Sequence, residues 1–410
     1  MPASPTDGNA AALMAGADER IERLRKADAT IVVQDAQGRG VAGVALDVDQ
    51  TQHAFLFGCA ALSLLKHADA AQERLYQERF AELFNLATVL TYWHVGEPER
   101  GRLDLGPVID QVARLKALGI RIKGHPLVLA QSSPPWAPSE IAATRDLTRR
   151  WIADVVGRLS PDIGMWDVVG DATTAAGAGN GLAAWAREAG AARYTEDALR
   201  WTRAADASAQ LLYNDYKLDD DFTRLITDLH AAHAPLDILG LEAHMIGSDW
   251  PLEKVWETAE TFARLGHPLH FTEVTVLSDD PAADHAQSWP STADGERRQA
   301  DYVERFYRLL FSHPAVQSIG WWNFVDGDWD RNPGGLLRAD LTPKPAFTRV
   351  RELIRETWRT RVALTTGVDG SAAFRGFAGS YRIAVGRGAP RATQDFDLVI
   401  GSDNRVIVHV

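Results

Sequence analysis

The sequence predicts a (β/α)8 barrel with a small β-rich accessory region made from both ends of the chain. From residue 55 onward, short apolar runs rich in β-branched and aromatic residues alternate with stretches in which apolar residues recur at spacings of three and four. The first pattern indicates strands buried on both faces, and the second indicates amphipathic helices. Eight such units within residues 55–358 fit a (β/α)8 barrel, which needs about 250 residues or more.

The predicted barrel strands end in polar or aromatic residues. They lie at 55–60, 86–93, 120–129, 163–170, 210–216, 238–245, 269–276 and 319–326. A doubly wound open sheet is the alternative fold. Such a sheet usually has fewer strands and carries a Gly-rich phosphate-binding turn after the first one. The segment FGCAAL at 57–62 lacks that turn.

The two chain ends are predicted to lie outside the barrel. We expect residues 1–18 to be disordered and 17–28 to form a short amphipathic helix, so that residues 1–28 are a tail with one helix. Residues 29–54 contain two strand-like runs around a Gly-rich turn, which predicts a β-hairpin. After the barrel, the alternating and turn-rich residues 359–410 predict a small antiparallel module.

Two long connections follow the fourth and seventh predicted strands, at 173–194 and 277–296. Both lie on the side of the barrel where such folds place their chemistry. These connections therefore either form walls of a substrate site or are mobile surface loops without a functional role, and the sequence does not distinguish these two interpretations.

Composition and charge exclude several classes of function. The formal charge of −12 disfavours nucleic acid or an anionic membrane as a partner. Cys59 is the only cysteine, which excludes a disulfide framework and a cysteine-based metal site. No run of 18 apolar residues predicts a membrane span. The first 28 residues lack the basic start and apolar core of a signal peptide, so we expect a cytoplasmic location. The oligomeric state stays open.

Glu273 is the first candidate catalytic residue because it lies in the middle of the apolar run HPLHFTEVTVL at 267–277. A carboxylate inside a buried strand is unfavourable unless a partner or a function compensates for its burial. An arginine partner would make Glu273 structural, so its position alone does not decide. The other predicted strands also end in polar or aromatic residues, which favours an active site.

In a barrel, the C-terminal strand ends meet at one cleft. The candidates brought there are Tyr92, Trp93, His125, Trp166, Asp171, Asn214, Asp215, Glu242, His244, Glu273, Trp322 and Asp326. Paired carboxylates in an aromatic cleft are what glycoside hydrolysis requires, because one protonates the leaving oxygen while the other attacks or activates water. Trp rings bind the apolar faces of sugars, and Asn and His bind hydroxyl groups.

Several motifs in this order resemble glycoside hydrolase family 10, the endo-β-1,4-xylanase family of retaining (β/α)8 enzymes. The resemblance covers roughly residues 29–358 and rests on HPLHFTEVTVL, WDVV at 166–169, NDY at 214–216, GLEAHM at 240–245, KGHPLV at 123–128, and the run from WWNFVDGDWD to GGLLRADLTPKPAF. It includes the N-terminal hairpin and the FLFG strand, which occur in one bacterial branch of that family.

The resemblance implies roles for individual residues. Glu273 stands where the family has its nucleophile, and His244 stands where a histidine hydrogen-bonds that nucleophile and keeps it ionised. Trp322 stands where the family has an aromatic ring that forms the floor of the sugar site. The residues expected to bind the substrate are His125, Trp93, Trp166, Asn214, Tyr216, Trp322 and Trp329.

The sequence also departs from the family pattern. Gly170 and Asp171 stand in place of Asn-Glu, whose Glu is the acid/base and whose Asn binds the sugar 2-hydroxyl. Leu129 and Ala130 replace Trp-His, Glu242 replaces Gln, and the second strand lacks the Glu, Asn and Lys that bind xylose. Either Asp171 or Glu242 is expected to act as the acid. The shorter Asp leaves a retaining or an inverting outcome open, since the carboxyl spacing decides it.

The leading hypothesis is therefore a glycoside hydrolase that cleaves a β-glycosidic bond in a small glycoside or oligosaccharide. One alternative is a repurposed barrel that rearranges, cyclises or eliminates within a small natural product. Another is a non-catalytic carbohydrate binder. Asp171, Glu242, His244 and Glu273 also have the donor types of a divalent metal site. The resemblance explains two of them without a metal, so we expect no metal and no cofactor.

Overall fold

The computed structural model describes residues 5–279, 289–386 and 392–410. Its strands are β1 Lys26–Gln34, β2 Ala45–His53, β3 Leu56–Ala60, β4 Leu86–Leu90, β5 Arg121–His125, β6 Val128–Leu129, β7 Met165–Gly170, β8 Gln210–Asp215, β9 Ile238–Met245, β10 Leu269–Val276, β11 Val316–Trp321, β12 Arg361–Thr365, β13 Ser371–Phe377, β14 Gly379–Val385, β15 Ala392–Leu398 and β16 Arg405–His409.

The helices are α1 Pro5–Ala15, α2 Ala17–Arg25, α3 Ala70–Leu83, α4 Trp93–Gly96, α5 Gly106–Ala117, α6 Ile141–Leu159, α7 Gly181–Ala189, α8 Ala191–Ala205, α9 Asp220–Ala231, α10 Leu252–Ala263, α11 Ala293–Phe311 and α12 Pro345–Glu352. Short 3-10 turns lie at Ala130–Ser132 and Ala175–Gly177, and a π-helical turn at Leu353–Thr357 follows α12. None of the helices in the described ranges is both long and apolar enough to cross a bilayer. The expected cytoplasmic location stays a prediction.

Strands β3 to β11 form a closed parallel barrel. Their order is β5-β4-β3-β11-β10-β9-β8-β7-β6, and β5 also pairs with β7, which closes the ring. Strand β5 ends at His125 and the two-residue β6 resumes after Pro126, so these two strands share one of eight positions. The predicted (β/α)8 fold is confirmed. The second predicted strand is shorter than expected, because it ends at Leu90 and a helical turn begins at Trp93.

Burial on two faces explains why the barrel strands are nearly continuous apolar runs. Every residue of β7 and of β10 is buried, as expected for strands with side chains in the barrel interior on one face and against helices on the other. The helices each bury one stripe. In α9 the buried residues are Phe222, Leu225, Ile226 and Leu229, at spacings of three, one and three.

The chain divides into two compact units. One comprises residues 57–303 and 315–347, and the other comprises residues 1–56, 304–314 and 348–410. The second unit contains a three-stranded sheet with the order β13-β1-β16 and a four-stranded sheet with the order β12-β2-β14-β15. Strands from both chain ends therefore pair with each other within this unit.

The predicted hairpin at 29–54 is wrong in its pairing. Both strands exist, but β1 lies in the three-stranded sheet and β2 in the four-stranded sheet. The reason is burial: Ile31 and Val33 from β1 and Leu46 and Val48 from β2 lie in one hydrophobic core, with residues from both sheets around it. A direct β1–β2 hairpin would not place one sheet on each side of this core.

The predicted disorder at the N-terminus is also wrong within the described residues. Helix α1 covers Pro5–Ala15 and α2 covers Ala17–Arg25. Alanine is the strongest helix former, and this segment contains many alanines. Strand β1 begins at Lys26, two residues before the expected end of the predicted helix.

The two long connections differ from each other. Residues 173–194 include α7 with its buried Trp185, so this connection is largely helical. Part of the other connection, residues 280–288, lies outside the described residues. Its remaining C-terminal part leads into α11 at Ala293.

Gly124 in β5 provides a test of the barrel packing. A Cβ atom built there would lie 2.2 Å from Cζ3 of Trp166, a fully buried ring. We expect Gly124→Ala to lower the thermal midpoint, because overpacking a core costs about 1–3 kcal/mol. The matched control is Gly157→Ala at an exposed position of helix α6, where nothing lies within 4 Å and alanine should stabilise the helix. Equal midpoints for the two variants would contradict this packing.

Candidate active site

An open cavity of about 390 Å³ lies at the C-terminal ends of the barrel strands. Its ionisable lining consists of His125, Asp171, Glu242, His244 and Glu273. This volume lies within the range of small-molecule sites. The structure therefore brings together in one cavity the four residues expected to be catalytic and His125.

Glu273 is almost fully buried and is held by three side chains. Nδ2 of Asn214 donates to Oε1 of Glu273 at 2.9 Å, and Nε2 of His244 lies 3.1 Å from Oε2. Nε2 of His125 lies 3.4 Å from Oε1. Burial alone would raise the pKa of Glu273, but His125, then His244 and Lys123, outweigh it and lower the pKa below its ordinary value. Glu273 is therefore ionised at neutral pH, as a nucleophile must be.

Asn214 joins two carboxylates through one amide. Its Nδ2 donates to Oε1 of Glu242 at 2.8 Å as well as to Glu273, and its Oδ1 accepts from the hydroxyl of Thr272. Neighbours in a regular strand point to opposite faces. The register of β10 against β9 is irregular between Phe271 and Glu273, and a bulge of this kind re-aims side chains next to a site. Thr272 and Glu273 can thus contact the same amide.

His244 is fixed on both ring nitrogens and on one face. Its Nδ1 lies 3.0 Å from the Thr275 hydroxyl, and its Nε2 faces the Glu273 carboxylate. An ionised carboxylate only accepts hydrogen bonds, so Nε2 carries the proton. The ring stacks on Trp329 with centroids 4.5 Å apart. This is the arrangement that the resemblance implied for His244.

A second chain of charges supports Glu273 through His125. Nδ1 of His125 lies 2.8 Å from Oδ2 of Asp167, and the same oxygen is 2.6 Å from the ammonium of Lys123. Burial opposes ionisation of Asp167, but Lys123 and His125 lower its pKa to about 2. An orienting carboxylate behind an imidazole fixes its tautomer and ring position. Sequence reasoning did not find Asp167, although it lies within the WDVV motif.

Glu242 is a third carboxylate beside this pair. It is opposite Glu273 in the β9–β10 register, and its Oε2 lies 3.6 Å from Nε2 of His244. Burial, then the negative charges of Glu273 and Asp171, raise the pKa of Glu242 well above its ordinary value. This direction is the one expected for a buried carboxyl group with like charges beside it.

Asp171 follows the last residue of β7 and has an unusual backbone. Its φ of 55° lies in the left-handed region, which Asp adopts more readily than most residues. Its Oδ1 is buried and has no hydrogen-bond partner. Burial, then Asp215 and Glu273, raise the pKa of Asp171 to about 7. The group is therefore poised to exchange a proton near neutral pH.

The aromatic lining consists of Tyr92, Tyr216, Trp250, Trp322 and Trp329, and the remaining lining residues are Leu129 and Gly170. Tyr216, Trp322 and Trp329 are thus placed where the sequence suggested. Trp250 was missed, because it lies in a loop after β9 with no periodic pattern around it.

Besides Asn214, which is described below, four candidates are not placed at the cavity. Trp93 stacks on Trp151 and donates through Nε1 to Glu97 at 2.8 Å, and Trp166 is a core ring packed on Gly124. Asp215 accepts from Oγ1 of Thr173 at 2.8 Å. Asp326 pairs with the buried Lys344. These four side chains hold the barrel and its loops in place.

Asn214 does not line the cavity itself, but it positions two residues that do. Its side chain is fully buried. Gly240 on the next strand leaves room for it, because a Cβ atom at that position would lie 2.5 Å from Oδ1 of Asn214. The expected substrate contact is thus replaced by a supporting one.

A divalent metal has three possible ligands here. Donor atoms of Glu242, His244 and Glu273 all lie within 4.8 Å of one another. However, Asn214 and His244 already direct N–H groups at both carboxylates. These contacts occupy Oε1 of both carboxyl groups and Oε2 of Glu273, so the arrangement fits a hydrogen-bonded carboxyl pair better than a metal site.

Comparison with known families identifies the chain. The model for Glycosyl hydrolase family 10 matches residues 48–353, which is most of the protein. The chain belongs to glycosyl hydrolase family 10. This membership confirms the resemblance drawn from the motifs.

Among curated family 10 relatives, endo-1,4-beta-xylanase B of Thermotoga neapolitana is 26% identical over 308 residues, covering 70% of this chain and 85% of the relative. The anti-sigma-I factor RsgI6 of Acetivibrio thermocellus is 25% identical over 381 residues, covering 90% of this chain. This chain spans only 46% of that longer protein.

The fold has counterparts among solved family 10 structures. Xylanase 10B of Thermotoga petrophila RKU-1, determined in complex with xylobiose, superposes with a TM-score of 0.61 at 22% identity. The match covers 74% of this chain and 95% of that one. At this level of identity the similarity establishes the barrel, while the lining residues decide the chemistry.

Replacing Glu242 by Gln tests the electrostatics of the site. The pKa of Glu242 is raised in the folded protein. As the pH rises above about 4.3, Glu242 therefore loses its proton in the unfolded chain before it does so in the folded protein. The free energy of unfolding consequently falls as the pH rises above that value. Glu242→Gln keeps the Asn214 hydrogen bond without the charge. We expect its thermal midpoint to equal that of the unmodified protein near pH 4 and to exceed it increasingly toward pH 8, by roughly 1–2 °C for each kcal/mol in a chain of this size.

The matched control is Glu188→Gln, at an exposed position of α7. It should leave the midpoint unchanged across the same pH range. A midpoint difference for Glu242→Gln that is independent of pH would contradict the raised pKa.

Proposed function

We propose that this protein is a glycoside hydrolase that cleaves a β-glycosidic bond, with Glu273 as nucleophile and Asp171 as acid/base. One observation carries the proposal. Two carboxyl groups line the same cavity with their pKa values displaced in opposite directions, that of Glu273 lowered and that of Asp171 raised to about 7. Such a separation of two carboxyl pKa values is how hydrolases assign acid and nucleophile roles.

The proposed first step is attack by the Glu273 carboxylate on the anomeric carbon. Asp171 gives its proton to the leaving glycosidic oxygen, so that the aglycone departs as a neutral alcohol. In the second step Asp171, now ionised, takes a proton from water, which displaces the sugar from Glu273. His244 and His125 stabilise the negative charge of Glu273 before attack and after release.

Asp171 is the better acid candidate for geometric reasons. Glu242 and Glu273 each accept from the same Nδ2 atom, at 2.8 and 2.9 Å, so no sugar ring fits between them. The acid must instead reach the oxygen on the far side of the reacting carbon from the nucleophile. Asp171 lies at the end of β7, two strands away from β9 and three from β10. Its buried Oδ1 is without a protein partner and is suited to a substrate oxygen.

The aromatic rings suit a carbohydrate substrate. Trp250, Trp322 and Trp329 offer ring faces in the cavity, and such faces bind the apolar sides of sugar rings. Xylanase relatives and the xylobiose complex of the Thermotoga petrophila enzyme support an oligosaccharide. We propose a small β-glycoside or oligosaccharide as substrate. A rearranged product without a released sugar would instead support the repurposed-barrel alternative.

Leaving-group dependence tests the role of Asp171. In Asp171→Asn we expect kcat/KM to fall by about 10²–10⁴ for a glycoside with a poor alkyl leaving group, because that group requires protonation. For an activated aryl glycoside the loss should be much smaller. The control is Asp146→Asn at an exposed helix position, which should change neither rate. Equal losses for both leaving groups would contradict the acid role.

The pH profile tests the same pair independently. Hydrolysis needs Glu273 ionised and Asp171 protonated, so kcat/KM should form a bell that declines above about pH 7 as Asp171 loses its proton. The acidic limb should lie below the ordinary Glu value, because the pKa of Glu273 is lowered. Asp171→Asn should remove the alkaline limb for an aryl glycoside. An alkaline limb that survives in this variant would assign it to another group.

A further inference from the structure

The cavity is rich in carboxyl groups and poor in permanent cations. Asp171, Glu242 and Glu273 line it, whereas none of the described lining residues is Lys or Arg. The buried Lys123 lies behind the site, where its ammonium is paired with Asp167 at 2.6 Å. Burial and neighbouring negative charges raise the pKa values of Asp171 and Glu242, and a cationic ligand beside either group would favour its ionised form. An unpaired carboxylate in a water-poor site is costly unless a ligand supplies the partner.

The hydrogen-bonding groups of the lining are also unbalanced. Among the described lining residues there is no Asn, Gln, Ser or Thr, and Leu129 with Gly170 forms an apolar stretch of wall. A neutral sugar hydroxyl needs both a donor and an acceptor to be satisfied. Once a cationic ligand has ionised Glu242, this carboxylate only accepts hydrogen bonds. A ligand group that donates several hydrogen bonds fits it better than a hydroxyl group does.

The aromatic faces suit a cation as well as a sugar. An ammonium group within about 6 Å of a Trp or Tyr face is attracted by the ring quadrupole, and such rings recognise cationic ligands. One lining ring already holds an ammonium group: Nζ of Lys254 lies 4.0 Å from the Trp250 ring centroid. The other two tryptophan rings of the lining, Trp322 and Trp329, flank His244 beside Glu242 and Glu273.

We propose that the substrate is an amino sugar glycoside, whose protonated primary amine pairs with Glu242 while the same ring reacts at Glu273. This inference rests on the proposed function, because it takes Glu273 as the group that attacks the anomeric carbon. Glu242 and Glu273 share the amide of Asn214. A substituent that contacts Glu242 therefore belongs to the sugar ring held against Glu273, and it lies close to the anomeric carbon, as a 2-amino group does.

This pairing has a consequence that does not depend on turnover. Glu242 holds a proton in the free protein because of its burial and its two acidic neighbours. An ammonium ion placed beside it favours the ionised form, so Glu242 releases its proton when the amino sugar binds. The heat of binding then depends on the ionisation enthalpy of the buffer, whereas binding of a neutral sugar shows no such dependence.

Isothermal titration calorimetry at about pH 6 tests the proposal with three disaccharides. These are β-1,4-linked glucosamine disaccharide, its N-acetylated form and xylobiose, each titrated into the inactive Glu273→Gln protein and into the unmodified protein. We expect the free-amine disaccharide to bind the unmodified protein at least about 10-fold more tightly than the other two, with proton release. A 10-fold ratio corresponds to about 1.4 kcal/mol.

Glu242→Gln should abolish this preference and the proton release, and the stability measurement described above checks that this variant folds. The matched control Glu188→Gln should retain both. The proposal is overturned if xylobiose or the N-acetylated disaccharide binds as tightly as the amine, if the preference survives in Glu242→Gln, or if none of the three binds.

The same samples separate this inference from the proposed function. Amine preference without release of sugar from any glycoside would support the recognition by Glu242 and overturn hydrolysis. Hydrolysis of neutral β-glycosides without amine preference would support the proposed function and overturn the amino sugar inference.

Discussion

The site depends on one side-chain amide. Nδ2 of Asn214 donates to both Glu242 and Glu273, and its Oδ1 is held by the hydroxyl of Thr272. Two buried carboxyl groups this close repel each other when both are ionised. The shared donor holds them in place, and the different surroundings decide which one keeps its charge. Glu273 faces His125 and His244, whereas Glu242 has a single longer contact to His244.

The rest of the barrel serves to hold this arrangement. Gly240 leaves the space that Asn214 occupies, and the irregular register of β10 allows Thr272 and Glu273 to meet the same amide. Behind the histidine, the buried pair of Lys123 and Asp167 fixes His125. The contacts of His125 and Lys123 to Oδ2 of Asp167 offset part of the free-energy cost of burying these charges. Asp171 combines a left-handed backbone with a buried Oδ1 that has no protein partner.

The barrel could be predicted from the sequence because its signal is local: each apolar run reports burial on both faces of its own strand. The pairing of β1 and β2 could not be predicted from the sequence. Partner strands more than 300 residues away decide which sheet each of them joins, as in the pairing of Ala27 with Gly376. Trp93 and Trp166 were placed in the cleft because strand position does not reveal which way a ring points. Trp250 lies in a loop that carries no periodic signal.

The central claim is that Glu273 is ionised while Asp171 holds a proton in the same cavity. It is tested most directly by NMR titration of the ¹³C-labelled carboxyl groups of Asp and Glu residues, with Asp171→Asn and Glu273→Gln used to assign the two signals. The account predicts that the Asp171 carboxyl titrates at about 7, and that the Glu273 carboxyl titrates below the ordinary Glu value. An Asp171 carboxyl that titrates at its ordinary value, near about 3.9, would contradict the account.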